Sequence, residues 1–107
     1  MKRDMELCRR ILTDLEDEKF GTGLIKVEYD DIEPDVVAYH LKLLDEVGLI
    51  EAEDISTISR LRWRVKSITW EGHDFLEGIK DEGNWNKVKE YLKEGGKIIT
   101  LETLKSG

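Results

Sequence analysis

Disulfides, membrane spans and surplus positive charge are all missing from this chain, and each absence narrows what it can be. Among 107 residues there is one cysteine, Cys8, and one proline, Pro34. A lone cysteine excludes an intramolecular disulfide framework, so apolar burial must hold the fold, and a reducing cytoplasm is the expected compartment. No apolar run approaches the roughly 18 residues a membrane span requires. The opening MKRDMELCRR also lacks the apolar core of a signal peptide. Lys and Arg number 17 against 24 Asp and Glu, leaving a formal net charge of −7. That balance weighs against indiscriminate nucleic-acid binding, which needs clustered cations, yet it leaves room for a local basic patch.

What is present is periodic enough to fold. Apolar residues make up 39% and charged residues 38%, which predicts one domain over residues 1–107 with a heavily charged surface. Asp4 suits the N-cap of a first helix running to about Glu18, with Met5, Cys8, Ile11, Leu12 and Leu15 along one face. Phe20, Gly21 and Gly23 break that pattern. Residues 24–29 read as a short strand in which Ile25 and Val27 alternate with Lys26 and Glu28. Residues 30–33 read as a turn or a single helical turn. Pro34 then fits the first position of a helix, where its missing N–H costs nothing. Val37, Leu41 and Leu44 form that helix's inner stripe, flanked by Val36, His40, Leu43 and Val47, and Gly48 ends it.

Residues 49–54 and 61–68 predict two strands joined by a polar loop over 55–60. In the second, Leu61, Trp63 and Val65 share one face while Arg60, Arg62, Arg64 and Lys66 share the other. A register pairing Glu53 with Arg62 and Glu51 with Arg64 also sets Ile50 opposite Val65 and Ala52 opposite Trp63, so it satisfies charge and burial together. Thr69 suits the N-cap of a further helix with inner stripe Gly72, Phe75, Leu76 and Ile79, Gly72 permitting close packing. Asn84 is placed as the cap of a C-terminal helix carrying Trp85, Val88, Tyr91 and Leu92, with Gly95 after its end and a last turn over 100–104. The expected fold is α+β. It is a winged helix-turn-helix with an abbreviated middle helix, a core over residues 3–80 and a helical extension over residues 84–105.

Two sets of residues carry a resemblance. His40, Leu41, Leu44, Gly48, Leu49 and Ile50, spaced H-L-x-x-L-x-x-x-G-L-I, resemble the third helix and strand entry of arsenic-repressor-type winged-helix regulators. Longer blocks are the opening MKRDM, YHLKLL from Tyr39 with GLI from Gly48, TWEGHDFL from Thr69, and WNKV from Trp85. Together these are similar to a narrower group of small uncharacterised winged-helix proteins of bacteria and their phages or prophages. The resemblance implies a winged-helix fold and phage-associated ancestry, and it implies no assigned activity.

In regulators of this shape, exposed positions near the start of the reading helix meet bases and phosphates. Here those positions are Asp35, Ala38, Tyr39 and Lys42. None supplies the arginine–guanine pairing that makes a reading helix obvious, and a solvated face explains them equally. The wing carries more: Arg60, Arg62, Arg64 and Lys66 are placed to reach phosphate, unless Glu51 and Glu53 across the hairpin already neutralise Arg62 and Arg64. Cys8, His40 and His73 fall on three separate helices without ligand spacing, so no metal or cofactor is expected. His40 reads as a hydrogen-bonded, partly buried residue and His73 as an exposed one. Trp63, Trp70 and Trp85 read as core, with Trp70 bracing the wing against the helix after it.

No phosphate-cradling loop or catalytic triad pattern appears, so an enzyme is not expected. Two functions remain. One is a DNA-binding regulator whose partner is double-stranded DNA through Tyr39, Lys42, Arg60, Arg62, Arg64 and Lys66. The other is a non-catalytic interaction module offering an acidic surface to a host or phage protein. If the C-terminal helix is not folded back on the first helix, its stripe Trp85, Val88 and Leu92 becomes a homodimer interface.

Overall fold

Asp4 opens the first helix by accepting from the Glu6 and Leu7 N–H groups at 3.0 and 3.2 Å, which satisfies two of the amides a helix start leaves unpaired. In the computed structural model, which describes residues 1–94, this helix is α1 (Met5–Glu16). It is followed by α2 (Pro34–Glu46), β1 (Ile50–Asp54), β2 (Trp63–Ile68), α3 (Trp70–Ile79) and α4 (Glu82–Lys93). Gly95 and the turn expected over 100–104 lie outside the described residues. α1 stops two residues before the expected Glu18, because Glu18 adopts a left-handed φ of 54°. The Glu18 and Lys19 N–H groups then donate back to the Leu15 and Asp14 carbonyls, a Schellman-type stop made without glycine. α2 ends in the same motif, here on Gly48 at φ 78°.

The strand expected over 24–29 is reduced to one antiparallel bridge, Ile25 to Val65, although Val27 is still buried. Residues 30–32 form only a turn, so the middle helix is reduced to a bend. The architecture is α+β, with four helices and a two-stranded antiparallel sheet among the described residues. Its element order is that of a winged helix.

The hairpin departs from the expected register. Glu53 faces Arg64, Ala52 faces Val65 and Ile50 faces Ile68, rather than Arg62, Trp63 and Val65. The cause is the turn. Thr57 and Arg60 hydrogen-bond each other through N–H and carbonyl, and the Ile55 N–H donates to the Arg62 carbonyl, so the chain reverses at Ile58 and Ser59. A bulge between Glu51 and Ala52 then lets Lys66 and Ser67 both face water while Ile68 packs against the core. The outer part shifts by two residues, which preserves faces, and only the bulge changes parity.

The buried side chains of all four helices and both strands form one apolar cluster. α3 lies close to the start of β1: a Cβ on Gly72 would strike the Leu49 carbonyl oxygen and the Ile68 side chain. Trp70 does not brace this junction. It is 79% exposed, because it sits two positions from Gly72 and so opposite the inner stripe. α4 folds back on α1. The Trp85 indole N–H donates to Glu6 at 2.8 Å, Lys89 reaches the same carboxylate at 2.9 Å, and Trp85, Val88 and Leu92 are buried. The stripe that could have formed a dimer is therefore used inside the chain. The α4 cap is Asp81, accepting from the Asn84 N–H at 3.0 Å, three residues before the expected cap. His40 is fully buried, with Nε2 accepting from the Asp4 N–H at 2.8 Å and Nδ1 2.7 Å from the Val36 carbonyl. That pattern requires the neutral ring with its hydrogen on Nδ1.

Candidate nucleic-acid interface

α2 and the wing are joined at the start of the helix. Pro34 occupies the first turn of this 13-residue helix, Glu33 makes no side-chain cap hydrogen bond to the following amides, and the acidic side chain of the first turn is Asp35. Asp35, on the next residue, pairs with Arg62 of the wing at 3.3 Å. Asp35, Tyr39, Lys42 and Glu46 follow along one helical stripe. Tyr39 is half-buried, its ring edge-on to His40 at 5.6 Å, while Lys42 is exposed and 3.9 Å from Glu46. Ala38 does not belong to this exposed set. It is 4% exposed and faces the core, because it lies one residue from Val37 and three from Leu41 on the buried side.

The four wing cations separate into two kinds. Arg62 pairs with Asp35 and Lys66 pairs with Glu53 at 3.1 Å, neither being the partner expected from the sequence. The register shift moves Glu53 away from Arg62, and the fold brings Asp35 to it instead. Arg60 and Arg64 have no carboxylate within 4 Å among the described residues. Arg60 and Lys66 are exposed, whereas Arg62 and Arg64 are half-buried, so the wing cations do not all stand clear in water. Exposed pairs contribute only about 0.2–1 kcal/mol, so a phosphate can displace them.

A cavity of about 170 Å³ lies between the start of α2, residues 26–28 and the wing. Lys26, Arg60, Arg62 and Arg64 line it, with Glu28 as the one carboxylate. Lys26 is the site residue that sequence reasoning misses. Its signal lies in the alternation of residues 24–29: once Ile25 is paired with Val65, Lys26 stands opposite Arg64. Trp63 forms part of the same wall, and its indole Nε1 is buried with no hydrogen-bond partner. A buried donor left unpaired costs about 1–3 kcal/mol. A second hollow of about 330 Å³, between α1 and α3, has its cations already paired: Arg9 with Glu82 and Lys80 with Glu16. Only the wing cavity carries a cationic excess of the two.

Burial pushes the Cys8 thiol up to about 12, so its thiolate is scarce near neutrality. Among the described residues, no three His, Cys, Asp or Glu side chains are grouped to hold a metal ion. No helix among them is long and apolar enough to cross a membrane.

The helices and hairpin thus form a winged-helix arrangement with a basic cleft between the wing and α2. The family model described as Hypothetical protein (DUF2513) matches residues 2–98, and the chain belongs to that family. It is also similar to an "Uncharacterized protein" of Haemophilus influenzae (strain Rd), 34% identical over 106 residues spanning 98% of this chain and 90% of the relative. No solved structure matches.

Proposed function

We propose that this protein binds double-stranded DNA as a regulator of the phage or prophage type, using its wing more than its reading helix. The supporting observation is the placement of Arg60 and Arg64, without carboxylate partners among the described residues, beside an α2 start that has no side-chain cap. Cations and a helix N-terminus converging on one cleft are the elements that hold a phosphate backbone. Arg62 and Lys66 add to this when phosphate displaces their weak partners. Tyr39 and Lys42 then lie toward the major groove as positioning contacts. The acidic remainder of the surface repels DNA elsewhere and so restricts the orientation of docking.

Binding of a mixed-sequence duplex across a salt series tests this reading. Affinity should fall steeply as salt rises, and Arg60→Ala with Arg64→Ala should flatten the slope by roughly 0.9 for each phosphate no longer neutralised. Absence of association with duplex or single strand at low salt would remove the proposal.

A second reading is favoured by one observation: Trp70, 79% exposed, and Val47, 40% exposed, each lie one residue from the bonded pair Thr69 and Gly48, whose side-chain hydroxyl and carbonyl meet at 2.6 Å. An apolar spot on a chain of net charge −7 suits a non-catalytic module that docks a host or phage protein. Capture of a defined partner that is abolished in Trp70→Ala would support it, and capture unaffected by that change would not.

A further inference from the structure

We infer that the cavity beneath the wing is a seat for a phosphate group, held by the guanidinium groups of Arg60, Arg62 and Arg64 beside the Trp63 ring. The inference does not require that DNA be the natural ligand.

The polar side chains around the cavity are almost entirely donors. Four are cationic, and the one lining carboxylate, Glu28, is 3.5 Å from Lys26; Arg62 is paired with Asp35 at 3.3 Å, which leaves Arg60 and Arg64 without a counter-ion among the described residues. A group entering here must bring acceptors and negative charge. Trp63 forms part of the same wall and supplies a reporter for the cleft. In a chain whose other two tryptophans are either bonded, as Trp85 is to Glu6, or exposed, as Trp70 is, Trp63 alone buries its N–H without an acceptor. Buried polar groups are nearly always satisfied, so this unpaired N–H is a sensitive reporter of changes in the wall around it.

Size and shape narrow the ligand. A volume of about 170 Å³ corresponds to roughly six water molecules at ~30 Å³ each, and it falls below the usual range for whole drug-sized ligands. It admits a phosphate with a small attached group, the latter resting on Val37, Leu41 and the Trp63 ring. Guanidinium groups bind carboxylate and phosphate alike in paired, planar hydrogen bonds, and the phosphate's greater charge and additional oxygens let it engage more than one arginine at once. Two sources supply this chemistry: a free small phosphate ester, or one backbone phosphate of a nucleic acid.

The experiment follows the indole N–H resonances by heteronuclear NMR, with the Trp63 signal assigned through Trp63→Phe. Inorganic phosphate, ribose 5-phosphate, acetate and a short mixed duplex are titrated separately at constant ionic strength. The Trp63 resonance should shift saturably with inorganic phosphate and ribose 5-phosphate, and about tenfold more weakly with acetate. Arg60→Ala with Arg64→Ala should raise the phosphate Kd at least tenfold while leaving the Trp85 resonance in place. If the duplex produces the same shift and free phosphate competes with it, the seat belongs to a backbone phosphate. If only the free esters act, the seat serves a small molecule, and the inference stands even where DNA binding fails. A Trp63 resonance indifferent to every phosphate, or moved equally by phosphate and acetate, would overturn it.

Discussion

The helical half of the molecule and the wing solve opposite problems. Around α1, α2 and α4, polar groups that enter the interior find partners: His40 pairs at both ring nitrogens, Trp85 meets Glu6, and Asp4 caps its helix while its own N–H is taken by His40. In the wing, Trp63 leaves a buried N–H unpaired, Arg60 and Arg64 lack carboxylate partners among the described residues, and Ile58 stands fully exposed at the tip. The contrast separates what stabilises from what is held in reserve. A region that leaves donors and cations unsatisfied is poor at holding a fold together and well suited to receiving an acceptor from outside.

The sharpest way to break the comparison is to remove matching amounts of apolar side chain from each half. Leu41→Ala should cost about 2–5 kcal/mol by urea denaturation, since Leu41 is 1% exposed in the central cluster. Ile58→Ser, at the wing tip, should stay within about 0.5 kcal/mol. Equal costs at the two sites would show that the wing is part of the stabilising structure after all.

Next in size is His40→Phe, which keeps most of the ring but strands the Asp4 N–H and removes the ring's bond to the Val36 carbonyl. A loss of about 2–3 kcal/mol is expected, together with fraying of the start of α1 seen as faster amide exchange there. A neutral result would mean that water or neighbouring groups replace the imidazole without penalty.

Acid should weaken the helical half through its carboxylates. Hydrogen bonds from Lys89 and then Trp85 hold Glu6 below its ordinary 4.5, and His73 and then Lys80 act likewise on Glu16. A carboxyl lowered in the folded state stabilises the protein above its unfolded value, and that contribution is lost as pH falls through the lower folded value. Stability should therefore decline below pH 4.5. Glu6→Gln should narrow the difference between neutral pH and about pH 3.5, and an unchanged difference would contradict the assigned partners. This is the smallest of the three stability effects, because both groups are largely solvated.

The sequence is most readable where one periodicity governs a long element. The α1 stripe, the Asp4 and Thr69 caps, the Gly48 stop and the close approach at Gly72 all follow from local spacing. The wing is less legible because its geometry hangs on two local events without a sequence mark. Its turn places Ile58 and Ser59 at the tip instead of an Asn-Gly or Gly-containing pair, and no proline or glycine announces the bulge beside Lys66. The alternation of cations survives both events, whereas their partners do not: Asp35, 27 positions from Arg62, could be brought to it only by tertiary packing. Trp70 and Ala38 depart from expectation for a simpler reason. Trp70 is expected in the core from its residue type and Ala38 in the exposed set from its place near the start of the helix; helical phase decides both the other way.

Backbone amide mapping with a mixed-sequence duplex at low salt addresses the central claim most directly, because each half of the molecule reports separately. The account predicts saturable shifts concentrated at residues 60–66, at the start of α2, and at Tyr39 and Lys42, with α1 and α4 silent. Shifts centred on α4 or on the Trp70 surface, or none anywhere, would contradict it.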